Sequence, residues 1–383
     1  DVRREYCVLW ALARCGDAST FPALVAARKQ SPMAADRSVA NIEALVPRAG
    51  KSPMVMRVAL EMLRAWGEGL QAVVVQRAHG ELPPGLRYAA EQGPAEAFTE
   101  VLQRSLAAGE SSAVLETLYR VDSPIVRPGL IAALRTLPLL PGHFRAVRHI
   151  FKVAELRGDA EVFGLLALRF ELTPHNFAAR HRTTYIDGRR TDVRKEQAKP
   201  DSRLAYGQTT RAYLRRRTWA TLKRLGSLGA AEAYVRMAVG VLLPFTDAHA
   251  VEVREQSHYD YRSRRTTKTY WDRFAPFGAF NHILYENSRR YELKGTTLLW
   301  RCRGNYKPGD APPEPREEAF PELWQQVPVG LLHLLAESEC RPVHEFAVKA
   351  LRANKLFCDE LDLDAIVMLL GRPYEITAQL GYE

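Results

Sequence analysis

The stretch YLRRRTWATLKRLGS, residues 213–227, carries the spacing that predicts the fold. Its Leu214, Thr218 and Leu222 are four residues apart, which places all three on one face of an α-helix. The same spacing recurs in four other stretches. These are REYCVLWALARCGD (4–17), MVMRVALEMLRAWGE (54–68), PIVRPGLIAALRTL (124–137) and PVHEFAVKALRANK (342–355).

Glycine closes three of these stretches, and a second apolar segment follows. We expect Gly16, Gly67 and Gly226 each to end a helix in the left-handed conformation. Residues 230–243, after Gly226, are an example of the apolar segment that comes next. Short amphipathic helices in pairs stack on their neighbours because they cannot bury their apolar faces alone. The sequence therefore predicts an all-α fold, a solenoid of paired antiparallel helices.

This frame resembles the HEAT-repeat (armadillo-like helical repeat) family, most closely in ALARCGDASTFPALVAA, residues 11–27. The resemblance covers roughly two thirds of the chain and implies a HEAT-like α-solenoid. Such arrays serve as scaffolds, transport receptors, nucleic-acid binders or base-excision enzymes. Residues 202–226 and 280–293 also resemble the helical region that accompanies WGR modules in bacterial proteins, which implies a link to DNA ends. The chain itself contains no WGR module.

Two segments interrupt the helical pattern. Residues 181–203 are polar and charged. We expect a mobile loop there, or a short hairpin with residues 183–186 as one arm and a turn at Asp187-Gly188. The second interruption, residues 246–318, mixes aromatic and basic residues and predicts a small mixed α/β insertion.

Within the insertion, apolar and polar residues alternate on both sides of Lys294-Gly295, which predicts a β-hairpin. We expect residues 280–285 to form a short helix and Tyr291, Leu298 and Trp300 to form a small core. The predicted organisation is N-terminal HEAT-like repeats at 1–180, a basic loop at 181–203, a repeat with a basic helix at 204–245, the insertion at 246–318 and a C-terminal repeat at 319–383.

The chain has 383 residues and a formal net charge of +10, and its positive charge is concentrated in two segments. Residues 175–224 hold 14 Lys and Arg against 4 Asp and Glu, and residues 254–307 hold 12 against 5. The rest of the chain is therefore net acidic. Positive charge localised in this way is typical of a surface that binds a polyanion.

We therefore expect a non-catalytic protein that binds nucleic acid, DNA rather than RNA, through phosphates and with weak sequence specificity. Residues 202–226 contain no acid, and the basic loop precedes them directly. Exposed aromatics of the insertion are expected either to stack single-stranded bases or to bind a protein. The predicted nucleic-acid contacts are Arg189, Arg190, Arg194, Lys195, Arg211, Arg215, Arg216, Lys223, Arg224, Arg262, Arg264, Arg265 and Lys268.

Two alternative functions stay open. The chain is a protein–protein scaffold if the basic stripe, formed by the loop at 181–203 and the helix after it, binds an acidic partner protein. The helix is instead an ordinary solvated face if its arginines pair with acids on neighbouring helices, such as Glu232. A base-excision enzyme needs an acid and aromatics in a cleft that holds a distorted duplex. Asp122, Asp159, Trp66 and Trp219 are available, but no pattern singles out one acid.

The sequence shows no catalytic, cofactor or metal motif. Cys340 and His344 are four residues apart, but their spacing is not that of a zinc site, and we expect a packed cysteine and a helix-surface histidine. Gly226 and Gly229 precede a helix without a strand or a lysine, which predicts a helix–helix turn rather than a phosphate loop. No apolar run is long enough to span a membrane. Five scattered cysteines fit a reducing, cytoplasmic location. Because Asp1 already begins a helical pattern, we expect the chain to be part of a longer protein.

Overall fold

The computed structural model describes residues 78–108, 113–176, 182–186, 188–197, 204, 206–261, 264–294 and 298–383. In this part the chain is mostly helical, with three small antiparallel hairpins. It divides into two compact units, residues 1–159 with 179–206 and residues 160–178 with 207–383. The predicted repeat stretches at 4–17 and 54–68 lie outside the described residues.

The described part of the first unit consists of short amphipathic helices followed by a hairpin. Its elements are α1 (Pro84–Gln92), α2 (Ala95–Ala107), α3 (Ala113–Val121), α4 (Val126–Thr136), α5 (Pro141–Arg157), β1 (Thr183–Ile186), β2 (Arg189–Asp192) and α7 (Val193–Gln197). Helix α6 (Ala160–Leu172) lies between α5 and β1 in the chain but belongs to the second unit. Helix α4 packs on α2 and α3. Its Val126, Leu130 and Leu134 are fully buried, which confirms the predicted helix face.

The second unit stacks further helices and carries the insertion. Its elements after α6 are α8 (Gln208–Ser227), α9 (Ala231–Leu242), β3 (Arg254–Asp260), β4 (Arg265–Trp271), α10 (Gly278–Tyr285), β5 (Tyr291–Lys294), β6 (Leu299–Cys302), α11 (Pro321–Gln326), α12 (Val329–Glu337), α13 (Arg341–Arg352), α14 (Lys355–Asp359), α15 (Leu363–Leu370) and α16 (Glu375–Tyr382). Helix α9 packs against α6, α8, α11 and α12. No helix that the structure describes is long and apolar enough to cross a membrane.

Helices α6 and α9 cross at two glycines. A Cβ added to Gly164 would overlap the carbonyl oxygen of Gly240, and a Cβ added to Gly240 would overlap the backbone of Ala160. Backbone therefore touches backbone at this crossing, and only hydrogen fits at both positions. This contact fixes α6, the first helix of the second unit, against α9.

Helix α8 confirms the predicted buried face but not the predicted end. Leu214, Thr218 and Leu222 are buried. The helix continues through Gly226 to Ser227, and the left-handed residue is Gly229, with φ 65°. Gly226 serves another purpose, because a Cβ there would overlap the ring of Phe320. In the last repeat stretch, Val343, Ala347 and Leu351 in α13 are fully buried, as the spacing predicts.

The three hairpins match the sequence to different degrees. The predicted hairpin of the insertion is present as β5 and β6, with Tyr291 opposite Cys302. Of the two alternatives predicted for the basic loop, the structure has the hairpin with Thr183–Ile186 as one arm: β1 pairs with β2, Thr183 lies opposite Asp192, and α7 follows. The β3–β4 hairpin was not predicted and is the longest of the three, with seven cross-strand pairs.

The insertion has its own small core. Tyr291, Leu298 and Trp300 are buried, as predicted. Tyr291 and Trp300 pack with Cys302 and the neighbouring aromatics. The guanidinium of Arg290 lies over the ring of Tyr291, 4.9 Å from its centroid, and donates to Glu317 at 2.8 Å. The aromatic residues of this core are Tyr270, Tyr285, Tyr291, Trp300 and Tyr306, whereas Tyr259 and Tyr261 are exposed.

Candidate nucleic-acid interface

The N-terminal half of α8 is tied to the end of α6 by two arginines. Arg211 donates to the backbone carbonyls of Phe170 and Glu171. Arg215 forms an ion pair with the carboxylate of Glu171 and donates to the carbonyl of Pro276. Arg211 and Arg215 were predicted to bind phosphate, and both guanidinium groups are bonded to acceptors within the protein, so a role of this pair in phosphate binding stays a prediction. Their acceptors lie on other elements, and the acid is Glu171 rather than Glu232.

Glu171 is buried, which explains why α8 needs a cation here. Its side chain is 6% exposed and that of Arg215 is 15% exposed. Burial raises the pKa of Glu171 above its ordinary value, and Arg215 opposes this shift as the nearest positive charge. The backbone N–H of Gly278 also donates to this carboxylate. Arg215 therefore stabilises the junction of α6, α8 and the segment before α10.

The other predicted cations of α8 face away from this junction. Arg216, Lys223 and Arg224 are exposed, and Lys223 and Arg224 follow Arg216 by seven and eight residues, which places them on the same side of the helix as Arg216. The face covers about 12 Å of the helix axis. The ammonium group of Lys223 lies 5.1 Å from the centroid of the Trp219 ring, so the indole orients this cation. No acidic residue occurs anywhere in α8. We call Arg216, Lys223 and Arg224 the α8 cationic face.

The residues of the basic loop that were predicted to contact nucleic acid lie in the first unit. Arg189 and Arg190 are exposed on β2, and Arg194 and Lys195 are exposed on α7. Arg190 donates to the hydroxyl of Thr183 across the hairpin at 3.2 Å. The hairpin therefore presents its cations from an ordered strand rather than from a mobile loop. The α8 cationic face belongs to the second unit.

Of the contacts predicted for the insertion, the structure describes the side chains of Arg264 and Lys268, both on the β3–β4 hairpin. Arg264 is exposed and has φ 52°, which marks a tight turn at the start of β4. Lys268 is exposed but forms an ion pair with Glu255 at 2.7 Å, and this contact raises the pKa of Lys268. Arg265 is part of β4, although its side chain lies outside the described residues, as does Arg262 entirely.

The acids of the base-excision alternative are held by an arginine. Arg127 donates to Asp122 at 2.8 Å and to Asp159 at 2.8 Å, and the hydroxyl of Tyr119 donates to Asp159 at 2.9 Å. This network ties α3 and α4 to the end of α5. This network gives Asp122 and Asp159 a structural role that involves no substrate. Sequence spacing alone did not reveal it.

The Cys340–His344 pair is a packing feature. His344 was expected on the helix surface, but it is fully buried, and that prediction is wrong. Its Nε2 lies 2.9 Å from the carbonyl oxygen of Ser338 and must donate to it, so Nδ1 accepts from the hydroxyl of Thr377 at 2.7 Å. Burial lowers the pKa of His344. The described residues contain no group of side chains that could hold a metal ion.

No family model, curated protein or solved structure matches the chain, so its function is inferred from the geometry of its own side chains.

Proposed function

We propose that the chain is a non-catalytic, HEAT-like helical-repeat protein that binds nucleic acid through the phosphate backbone. The observation that carries the proposal is the α8 cationic face. Arg216, Lys223 and Arg224 are exposed together on a helix without acids, while Arg211 and Arg215 hold that helix in place. Phosphate oxygens are the ligands that such a row of cations binds best.

The solenoid part of the proposal rests on the stacking of helices in the second unit. Helix α9 packs between α6 and α8 on the one hand and α11 and α12 on the other, and α12 packs on α13. The repeated i, i+4, i+8 faces supply the buried side chains of α4, α8 and α13. Small-angle X-ray scattering tests this arrangement, because an array of paired helices that contact only their neighbours is more extended than a globular bundle of the same length.

The binding surface is tested by removing the α8 cationic face. The variant Arg216→Gln/Lys223→Gln/Arg224→Gln is compared with the parent by fluorescence anisotropy on a labelled 20-base-pair DNA duplex at several salt concentrations. Loss of three phosphate contacts flattens the slope of log affinity against log salt by about 2.7. The measurement separates phosphate contacts from the attraction of DNA to the net positive charge of the protein, because that attraction does not depend on which cations are removed.

A matched control removes the same charge elsewhere on the second unit. Arg341, Arg352 and Lys355 are exposed on α13 and α14, and their triple change to Gln lowers the net charge by the same amount. We expect the control to keep the parent's salt slope. Equal slopes for the two triple variants, or no salt-dependent binding by the parent, would refute the proposal. A discrete stoichiometric complex with an acidic protein would then favour the scaffold function.

A further inference from the structure

The β3–β4 hairpin is a two-stranded ribbon that is exposed on both faces beyond its base. At the base, Trp271 is buried beneath Arg254, and Tyr270 packs on the core of the insertion. Residues 256–259 of β3 are exposed, and so are residues 266–268 of β4. The ribbon therefore extends from its anchored base, and the side chains of its outer part have few neighbours among the described residues.

The side chains of this ribbon are polar on both faces. Residues 254–271 contain no aliphatic residue, and they carry five Arg and Lys against two acids. One face presents Gln256 and His258 opposite Thr269 and Thr267, and the other presents Ser257 and Tyr259 opposite Lys268 and Thr266. Hydroxyl, amide, imidazole and guanidinium groups are the groups that bind phosphates and base edges.

These features favour one class of partner. The core of a protein–protein interface is rich in apolar area, whereas the ribbon has no aliphatic residue and its exposed large hydrophobic side chains are Tyr259 and Tyr261. Proteins that bind single strands stack successive bases on several aromatic side chains, whereas the exposed aromatic residues on this ribbon are Tyr259 and Tyr261, which pack edge to face on one another with their centroids 5.0 Å apart. The major groove of B-form DNA is about 12 Å wide and admits a two-stranded ribbon, whereas the major groove of duplex RNA is too narrow for side chains to read.

We propose that the β3–β4 hairpin enters the major groove of B-form duplex DNA. The inference rests on the proposed function and names its substrate class, since phosphate binding by the α8 cationic face does not by itself distinguish DNA from RNA. The groove contacts are Gln256, His258 and Arg264, whose side chains match the donors and acceptors on base edges. The net positive charge of the ribbon matches the negative charge of the groove.

The test uses a hairpin-shortened chain. Glu255 and Tyr270 face one another across the ribbon, so replacing residues 256–269 with Asn-Gly closes the strands by a two-residue turn and keeps the anchored base. A second variant, Gln256→Ala/His258→Ala/Arg264→Gln, changes exposed side chains only and keeps the strands. Circular dichroism and thermal melting establish that both variants fold like the parent.

Binding is measured on a 20-base-pair DNA duplex, the RNA duplex of the same sequence and the DNA single strand, at one salt concentration. We expect the parent to prefer the DNA duplex over the RNA duplex by about tenfold, and both hairpin variants to lose that preference. Methylation of guanine N7, which lies in the major groove, should weaken binding of the parent but not of the shortened chain. The triple variant of the α8 cationic face should bind more weakly while keeping the preference.

Two results would overturn this inference without affecting the proposed function. One is equal affinity of the parent for the DNA duplex and for RNA or single strands, and the other is an unchanged preference in both hairpin variants. In either case salt-dependent binding that needs the α8 cationic face would leave the proposed function standing. Absence of all binding by the parent would overturn both proposals.

Discussion

Replacement of Arg215 by methionine separates its structural role from a role in binding. Methionine keeps most of the length and apolar character of the stem but removes the cation that faces Glu171. Arg216 is the matched control, because it is the next residue of the same helix and its side chain is exposed. The two substitutions remove the same charge from neighbouring positions, so they differ only in what the guanidinium contacts.

The expected cost follows from burial of the partner. Removing one member of a buried ion pair costs about 3–5 kcal/mol, because the other charge stays buried without compensation. Arg211 and the backbone N–H of Gly278 still act on Glu171, so we expect about 3 kcal/mol for Arg215→Met, at the lower end of this range. For Arg216→Met we expect a change within about 0.5 kcal/mol.

The pH dependence gives a second, independent signature. Without Arg215 the pKa of Glu171 in the folded protein rises further above its ordinary value of 4.5. The folded state then holds more protons than the unfolded state between those two values, so stability falls as pH rises through this window. The loss of stability in Arg215→Met is therefore greatest at neutral pH and smaller at acidic pH, where Glu171 is protonated in both states.

The assay is urea denaturation followed by tryptophan fluorescence, at neutral and at acidic pH. The set comprises the parent, Arg215→Met, Glu171→Leu, the double variant and Arg216→Met. The double variant should regain most of the stability that Arg215→Met loses, since no buried charge is left unpaired. A loss below about 1 kcal/mol for Arg215→Met, or an equal loss for Arg216→Met, would refute the buried ion pair as the reason that Arg215 is present.

Three further predictions concern packing and buried polar groups in the second unit. Gly164→Ala should destabilise by about 3 kcal/mol, because the new methyl group overlaps the carbonyl of Gly240; thermal melting measures it, and an unchanged melting temperature would contradict the close crossing. Arg290→Lys should lower the urea midpoint, since a lysine cannot donate two parallel hydrogen bonds to its carboxylate partner, and equal midpoints would mean that charge alone suffices. Thr377→Val should cost about 1–3 kcal/mol by leaving Nδ1 of His344 without a donor, and Thr377→Ser should restore most of it.

The helical part of the fold could be predicted because its signal is local. Apolar residues at i, i+4 and i+8 in α4, α8 and α13 are the residues that the structure buries. The β5–β6 hairpin was predictable for the same reason, since one face is buried and the residues alternate. The β3–β4 hairpin gave no such signal, because a strand exposed on both faces has no reason to alternate apolar and polar residues. Its threonines and tyrosines were the remaining clue.

The candidate site was only partly predictable, because charge is visible in a sequence but its partner is not. Arg211, Arg215 and Arg216 are equivalent in their local sequence. The structure distinguishes them through Glu171, about 40 residues earlier. One signal was available, since Glu171 follows the apolar run of α6, where an ionised carboxylate needs a cation. An acid inside an apolar helix is therefore a reason to search for a distant arginine.

The β3–β4 ribbon also bears on solubility. Each of its strands pairs with the other alone in the part of the chain that the structure describes, so each leaves one edge of backbone donors and acceptors unpaired. Open edges invite strands of other molecules, and natural proteins counter this with charged side chains. The exposed charged side chains of Glu255, Arg264 and Lys268 protect the edges of this ribbon. A variant that replaced them with threonine or valine would lengthen an uncharged, β-prone segment and turn the ribbon into a template for aggregation.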